Sequence, residues 1–482
     1  MRNSVLFLFA RHVYAGALAG NAARALLGTI AVLLAYAAYN GIRTYQHQTH
    51  TRLHYQREVR HNWENMPDKH PHRMAHYGYI AFRAKHPLSF FDFGVESYTG
   101  NAVFLEAHRQ NTVNFSEASL STGLLRFGEI SPAMILQVLL PLVLFFLGFS
   151  LVASDRENGT LKILLSQGAS WPELIAGKAL GLWGVALTVL VPVVVLLGIG
   201  GGLVGEPAFS GDGLVRTGWI GGVYALYFAL ISLLTVVISA VSKTARLALV
   251  SLIGIWLFFG IILPRTTQAL GNYLYPAPSK IQFETAIERD ILRTGDSHDP
   301  NDPYYKALKD SVLRAHGVQS VEQLPFNYSG FQMKEGERIS AAIYNKHLFA
   351  LLETYQRQNH LSRLAALVNP FAALRQFSMA MSGTDFHAYV QFQQQAEDYR
   401  YRLAQHMNEL QIKLISNKKP GDHDKPHRIS NAYWKAFPDF AYAHRRQGEV
   451  LRSEILSLAA LLGWTALLLG GVRSLSRTIK PL

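Results

Sequence analysis

Residues 131–153 read SPAMILQVLLPLVLFFLGFSLVA, an apolar run without a single charged side chain. A helix needs about 20 such residues to cross the hydrocarbon core of a bilayer. A helix also satisfies its own backbone hydrogen bonds, which any segment that lies in lipid must do. The run therefore predicts a membrane-spanning helix, and it decides the fold class of the chain.

Five further apolar runs have a similar length. They lie at 23–42, 179–204, 217–241, 247–264 and 455–472. Apolar residues make up 49% of the 482 residues and charged residues only 16%, a low charge content for a soluble protein. We therefore predict an all-α, polytopic protein with six transmembrane helices in a lipid bilayer.

Lysine and arginine residues are concentrated in the short segments on one side of the predicted membrane. These segments are 1–22, interpreted as an amphipathic interfacial helix, the link 154–178, the link 242–246 and the tail 473–482. The short link on the opposite side, 205–216, carries one arginine against two acidic residues. Because cytoplasmic loops are enriched in Lys and Arg, both termini are predicted to be cytoplasmic.

This bias also accounts for the net charge of +13. The sequence has no basic cluster interleaved with aromatic residues, so it gives no indication of nucleic-acid binding.

Two long segments, 43–130 and 265–452, then lie on the extracytoplasmic side. In the longer segment, apolar residues recur every three or four positions from Phe386 onward, which is typical of an amphipathic helix. Thr384 or Asp385 is a suitable N-cap for that helix. We therefore predict a large helical extracytoplasmic domain. The chain has no cysteine, so neither disulfides nor thiolate metal ligands contribute to this domain.

Histidines are frequent in the shorter outer segment, which holds nine of the 19 in the chain. Four of them, His47, His50, His54 and His61, fall within about 60° of one another if the first span continues as a helix. Such a stripe is either a solvated helix face or a site for copper or zinc. The group His70, His72 and His76 has the same two interpretations.

The link 154–178 carries the most informative pattern in the chain. Asp155 and Glu157 precede Gly159-Thr160-Leu161, Leu164-Leu165-Ser166 follows, and Gly177-Lys178 opens the next span. Gly159 is expected to break the second helix, and Thr160 is expected to cap a short new one. The three leucines then form an apolar edge that fits a groove on a soluble partner, with an ordinary interfacial loop as the alternative.

This pattern resembles the ABC-2 type exporter permeases, in which an acidic residue, Gly-Thr-Leu and Leu-Leu-Ser lead through a short helix to Gly-Lys. The resemblance implies an ATPase-coupling role for Asp155, Glu157, Gly159, Thr160, Leu161, Leu164, Leu165 and Lys178. It further implies that the partner is a cytoplasmic ABC ATPase dimer, which binds ATP and Mg²⁺, and that a second copy or a paralogue of the permease completes the complex. The chain contains no G-x-x-x-x-G-K-[ST] motif, so we expect no ATPase site and no directly bound cofactor of its own.

A second resemblance covers the outer segments. It is carried by Ala75-His76-Tyr77-Gly78, Tyr98-Thr99-Gly100, Leu105-Glu106-Ala107-His108 and Phe377-Ser378-Met379-Ala380. These motifs are similar to a bacterial subgroup of the same permeases with a domain of unknown function, which implies a location in the cytoplasmic (inner) membrane. We expect the permease subunit of an ABC exporter. The alternative is an ATP-driven mechanotransmission or metal-handling module that acts on a periplasmic partner without passing cargo.

Overall fold

The computed structural model describes residues 2–112, 130–203, 211–418 and 427–478, with backbone only at 201–203 and 475–478. The helices are α1 (Asn3–Ala19), α2 (Asn21–Glu64), α3 (Pro71–Tyr77), α4 (Glu96–Thr99), α5 (Pro132–Met134), α6 (Leu140–Gly148), α7 (Ala153–Glu157), α8 (Thr160–Ser166), α9 (Trp171–Leu203), α10 (Gly211–Val241), α11 (Ala245–Leu257), α12 (Leu263–Leu274), α13 (Lys280–Thr294), α14 (Pro303–His316), α15 (Tyr328–Ala365), α16 (Pro370–Ser382), α17 (Phe386–Leu414), α18 (Ala432–Lys435), α19 (Gln447–Ser453) and α20 (Ile455–Thr478). Strands β1 (Tyr79–Phe82) and β2 (Ala102–Leu105) form one antiparallel hairpin. Two π-helical turns, Ile135–Leu139 and Phe258–Ile262, join α5 to α6 and α11 to α12.

Six helical stretches are long and apolar enough to cross a membrane. They are Asn21–Glu64, Pro132–Glu157, Trp171–Gly200, Gly211–Val241, Ala245–Leu274 and Ile455–Ser474. Each overlaps one of the six predicted runs. The second run begins one residue before its helix, at Ser131, and the third continues past Gly200 to residue 204, which lies outside the described residues. The predicted all-α class with six spans is confirmed, and this is the composition of a multi-pass membrane protein.

The spans share one large apolar core, to which α1 also contributes. Helix α1 lies against the start of α9, where glycines allow close approach: a Cβ on Gly181 would lie 2.5 Å from the Ala10 carbonyl oxygen. Val13 is buried in this core, whereas Phe7 and Leu8 are exposed on the other face of α1. The N-terminal helix predicted over 1–22 is therefore anchored to the bundle along one side.

Helix α2 continues well beyond the apolar run that ends at residue 42. It has 44 residues, which corresponds to a length of about 66 Å. Ala37 is buried in the core of the spans, and Trp63 is buried in a second core formed by the outer segments. One helix thus belongs to both parts of the molecule.

The two outer segments, 43–130 and 265–452, were predicted as separate stretches of chain. Their described parts, 43–112 with 130 and 265–418 with 427–452, fold together. Their shared core contains Trp63, Met74, Tyr79 and Val103 from the first segment and Phe392, Tyr399, Met407 and Trp434 from the second. The β1–β2 hairpin lies in this core and was not foreseen. The predicted amphipathic helix is α17, and its N-cap is Asp385, whose side chain accepts a hydrogen bond from the Ala388 backbone N–H at 3.1 Å.

Helix α16 lies within the predicted outer domain, 265–452, but packs in the core of the spans. Leu374, Phe377 and Met381 belong to the same apolar cluster as the membrane-spanning helices. On the adjoining side, Asp92 accepts hydrogen bonds from Ser378 and from Gln137 at 2.5 and 3.3 Å. Part of the outer domain, helix α16, therefore packs within the core of the membrane-spanning helices.

Candidate coupling site and histidine cluster

The predicted coupling segment forms two short helices, α7 and α8, with a sharp turn between them. Gly159 has φ +77°, a left-handed conformation that favours glycine, and it breaks the helix as predicted. The expected capping role of Thr160 is wrong. Gly159 occupies the N-cap position, Thr160 is the first helical residue, and no side chain caps α8.

Two acidic residues of α7 attach the turn to neighbouring spans. Asp155 forms a salt bridge with Lys178, whose ammonium group also donates to the Leu151 carbonyl oxygen. The Glu157 carboxylate accepts a hydrogen bond from the backbone N–H of Ala245, the first residue of α11, at 3.3 Å. The start of α8 is therefore fixed to the ends of α9 and α11.

Residue Arg156 strengthens the same junction. Its guanidinium donates to the carbonyl oxygens of Ala240, at 2.6 Å, and of Ser242, which close α10. The Ser239 hydroxyl oxygen accepts from the backbone N–H groups of Val152 and Ala153 at 2.9 and 3.0 Å. The end of the second span and α7 are therefore linked by polar contacts to the third, fourth and fifth spans, immediately before α8.

The predicted apolar edge of α8 faces the protein itself. Leu161 is 2% exposed in the core of the spans, and Leu164 and Leu165 pack partly buried against that core. The apolar side chain that faces outward is Ile163, which is 56% exposed. The expectation that the leucines fit a partner's groove is therefore corrected: a partner would meet the face of α8 that carries Ile163.

A further ion pair lies beside this segment. Glu173, at the start of α9, is buried, and its carboxylate accepts hydrogen bonds from the guanidinium and from the backbone N–H of Arg2. Glu173 also accepts a hydrogen bond from the backbone N–H of Ser170 at 3.0 Å. The N-terminus of α1, the α7–α8 turn and the α10–α11 link consequently lie at one end of the bundle.

The predicted histidine stripe lies along the outer half of α2. His47, His50, His54 and His61 are all exposed, and His54 Nε2 lies 3.7 Å from the Glu58 carboxylate. No three of them are brought within ligating distance of one another. Metal binding by this stripe stays a prediction.

A different set of histidines converges in the outer domain. His72 and His76 lie on α3, His108 on the turn after β2, and His298 on the loop between α13 and α14. One ring nitrogen from each lies within 4.8 Å of the others, and no other such group forms within the described part of the chain. The His72 and His76 Nε2 atoms are 3.2 Å apart.

Three buried charges support the centre of this cluster. The Glu337 carboxylate is 0% exposed, accepts a hydrogen bond from the His108 backbone N–H at 2.8 Å and lies 3.3 Å from His108 Nδ1. Arg400 donates to Glu337 at 2.6 Å and forms two hydrogen bonds with Glu397 at 2.7 and 2.8 Å. The position of His108 is therefore set by helices α15 and α17.

The surroundings favour neutral imidazoles. Burial and the nearby histidines lower the pKa of His72 to about 4, and the same causes lower the pKa of His108 to about 2. Burial, together with His298, also lowers the pKa of His76. A neutral imidazole keeps a lone pair on one nitrogen and can bind a metal at neutral pH.

The sequence pattern identified part of this cluster. His72 and His76 lie one helical turn apart, and both belong to the group for which a metal site was one of the two interpretations. His298 lies two residues after Asp296 in a polar loop far along the chain, and no spacing rule connects it to α3. Only the fold brings the fourth histidine to the site.

Comparison with known proteins gives one match. Residues 280–443, about a third of the chain, are similar to the family described as "Domain of unknown function (DUF3526)". No curated protein matches the chain. The matched region includes His298, Glu337 and Arg400, whereas His72, His76 and His108 lie outside it. The resemblance of 154–178 to ABC-2 permeases stays a prediction.

Proposed function

We propose that this chain is the membrane-spanning (permease) subunit of an ABC transporter of the ABC-2 exporter type, driven by a separate cytoplasmic ATPase. The observation that carries the proposal is the attachment of α8. Its base is joined to α9 through Asp155–Lys178 and to α11 through Glu157–Ala245, while Ile163 points outward. A short helix that exposes one large apolar side chain and lies next to hydrogen bonds to several spans is suited to receive force from a soluble partner.

The short basic links and the outer domain lie at opposite ends of the bundle, and this arrangement supports the same proposal. The α1 N-terminus, the α7–α8 turn and the α10–α11 link meet at one end, whereas Arg216, at the opposite end of α10, contacts the outer domain. The lysines and arginines of the short links favour a cytoplasmic location for the first end. An ATPase would then bind there, and the outer domain would face the extracytoplasmic side.

In this proposal, closure of the ATPase dimer moves α8 and, through its hydrogen bonds, the ends of α9, α10 and α11. All groups that bind ATP and Mg²⁺ belong to the partner. ABC transporters need two membrane subunits, so a second copy or a paralogue of this chain completes the complex.

The test uses the full-length chain, tagged and purified from native membranes, with co-purifying proteins identified by mass spectrometry. We expect an ABC ATPase to co-purify with the wild type. Ile163→Asp should remove most of it, because a carboxylate would enter an apolar contact. Ile281 is also an exposed isoleucine, 77% exposed, but lies on α13 in the outer domain, so Ile281→Asp is the matched control.

Two results would contradict the proposal. One is the absence of any ABC ATPase from the purified wild-type complex. The other is equal ATPase recovery with Ile163→Asp and Ile281→Asp, since the two variants add the same charge to different faces of the protein.

A further inference from the structure

We propose that His72, His76, His108 and His298 form a binding site for one borderline divalent transition-metal ion, Zn²⁺ or Cu²⁺. The site lies in the outer domain and does not depend on the proposed transport function.

The donor set selects the class of ion. Four imidazole nitrogens suit zinc and copper, whereas Mg²⁺ and Ca²⁺ prefer oxygen ligands. In a tetrahedral zinc site the nitrogens lie roughly 3.3 Å apart, as Zn–N bonds of about 2.0–2.1 Å require. The His72 and His76 nitrogens are already 3.2 Å apart, and the full set lies within 4.8 Å. Closing the set needs movements on the order of 1 Å at His76 and His298, both of which are exposed.

Two of the four imidazole rings have a carboxylate close to their Nδ1 atoms. His108 Nδ1 lies 3.3 Å from Glu337, and His298 Nδ1 lies 3.4 Å from Asp296. The His108 Nδ1–Glu337 contact lacks hydrogen-bond geometry, but a small rotation of the ring would let the carboxylate accept the Nδ1 proton. Nε2 would then be the atom that binds the metal, an arrangement common in zinc proteins. Ordinary surface histidines do not need such support.

The ring atoms also lack other partners. Both ring nitrogens of His108 and the Nδ1 atom of His72 are buried and have no hydrogen-bond partner within the described part of the chain. Buried polar atoms are nearly always satisfied, so a metal bound to His108 Nε2 would account for one of its two unpaired nitrogens.

The backbone at His108 is held in an uncommon conformation. Its φ is +61°, and no other non-glycine residue in the described ranges has a positive φ. The turn is held by the His108 N–H bond to Glu337 and by the Ala107 N–H bond to the Ala75 carbonyl oxygen, at 2.8 and 3.3 Å. Residues in sparsely populated conformations cluster at functional sites, because the surrounding structure must maintain them.

Metal binding would join two parts of the outer domain. His72, His76 and His108 belong to the segment after α2, whereas His298 belongs to the loop that precedes α14. Gly336 allows that loop to approach α15, since a Cβ there would lie 2.6 Å from the Ser297 Cβ. A bound ion would therefore clamp the α13–α14 loop to α3.

The experiment uses the full-length chain in detergent, stripped with a chelator and then titrated with Zn²⁺, Cu²⁺ or Mg²⁺ by calorimetry. Metal content is measured after desalting. We expect one Zn²⁺ or Cu²⁺ per chain, no Mg²⁺, and nitrogen neighbours at about 2.0–2.1 Å by X-ray absorption. Asp296→Asn should weaken binding by roughly 10- to 100-fold, and His298→Ala by more, because it removes a ligand rather than its support.

The exposed stripe provides the matched control. A variant with His47, His50, His54 and His61 all replaced by alanine should keep the wild-type affinity, whereas His108→Ala should not. His298 is in an exposed loop, so His298→Ala is expected to fold even if His108→Ala does not. Failure of the wild type to retain either ion, or retention that survives His298→Ala, would overturn the proposal. Neither result bears on ATPase co-purification, so the two proposals fail independently.

Discussion

Lys178 of α9 is 5% exposed and forms a salt bridge with Asp155, at the end of the preceding span. Asp155→Asn would leave the lysine ammonium buried with only neutral acceptors, the Leu151 carbonyl oxygen and the introduced amide oxygen. Breaking a buried ion pair in this way costs about 3–5 kcal/mol. The Asp155 side chain is 24% exposed, so we expect a loss at the lower end of this range, about 3 kcal/mol in the free energy of unfolding in detergent.

The control for that variant is the exposed pair Lys334–Glu409, in which both side chains are more than 40% exposed. Glu409→Gln should cost less than about 1 kcal/mol, since exposed pairs contribute little. Equal losses for the two variants would show that Lys178 does not depend on Asp155.

Leu161 and Ile163 lie two positions apart on α8. Substitution by alanine should lower the stability of the protein at Leu161 but not at Ile163. Leu161→Ala empties part of the core and should cost about 2–5 kcal/mol of stability. Ile163→Ala should change stability by less than about 0.5 kcal/mol, because its side chain is exposed. Thermal unfolding of the two variants measures this difference. A larger effect at Ile163 would mean that the packing of α8 is reversed.

Arg216 joins a span to the outer domain. It is 1% exposed and donates to the Asp212 carboxylate at 2.7 Å, to the Met381 carbonyl oxygen at 3.2 Å and to the Arg445 carbonyl oxygen. Lysine keeps the charge but cannot reproduce the planar fork that reaches three acceptors. Arg216→Lys should therefore lower the free energy of unfolding by about 2 kcal/mol.

Arg246 is an exposed residue in the α10–α11 region and provides the comparison for Arg216. Arg246→Lys should leave the unfolding curve unchanged. If Arg216→Lys also leaves the unfolding curve unchanged, the contact between α10 and the outer domain contributes little to the stability of the fold.

The region that matches DUF3526, residues 280–443, should not fold by itself. Its buried Phe392, Tyr399 and Trp434 pack against Trp63 and Tyr79, which lie outside the match. Expressed alone, this region should be helical by far-UV circular dichroism, lack near-UV signal and bind a hydrophobic dye. Co-expression with residues 43–112 should restore near-UV signal and remove dye binding. A cooperative thermal transition of 280–443 alone would contradict this expectation.

The membrane helices could be predicted because the bilayer sets their length and composition independently of the rest of the fold. The run at 131–153 contains no charge, and any such run in lipid must form a helix. The helix α17 could be predicted for a similar reason, since its periodic apolar face and the cap Asp385 are local signals.

The orientation of α8 depends on contacts that are distant in sequence. Its pattern marks Leu161, Leu164 and Leu165 as one face, but a short helix gives no sign of whether that face meets a partner or the protein's own spans. The answer comes from the attachments of Asp155 to Lys178 and of Glu157 to Ala245.

The histidine cluster could be predicted only in part, for the same reason. His72 and His76 share a local spacing, but His298 reaches them through the packing of α13, α14 and α15. The exposed stripe on α2 gave the stronger sequence signal because it repeats along one helix. A repeated spacing on a single helix is nevertheless insufficient for convergence, since ligands around one ion come from several elements.

The unbroken course of α2 has a mechanical consequence. About 35 Å of this helix extends beyond the thickness of a hydrocarbon core. A tilt of about 5° in the membrane would therefore displace the far end, at Trp63, by about 3 Å, which exceeds the 1–2 Å helix shifts that accompany many allosteric transitions. A small change in the tilt of α2 within the membrane would thus produce a larger displacement of the outer domain at Trp63.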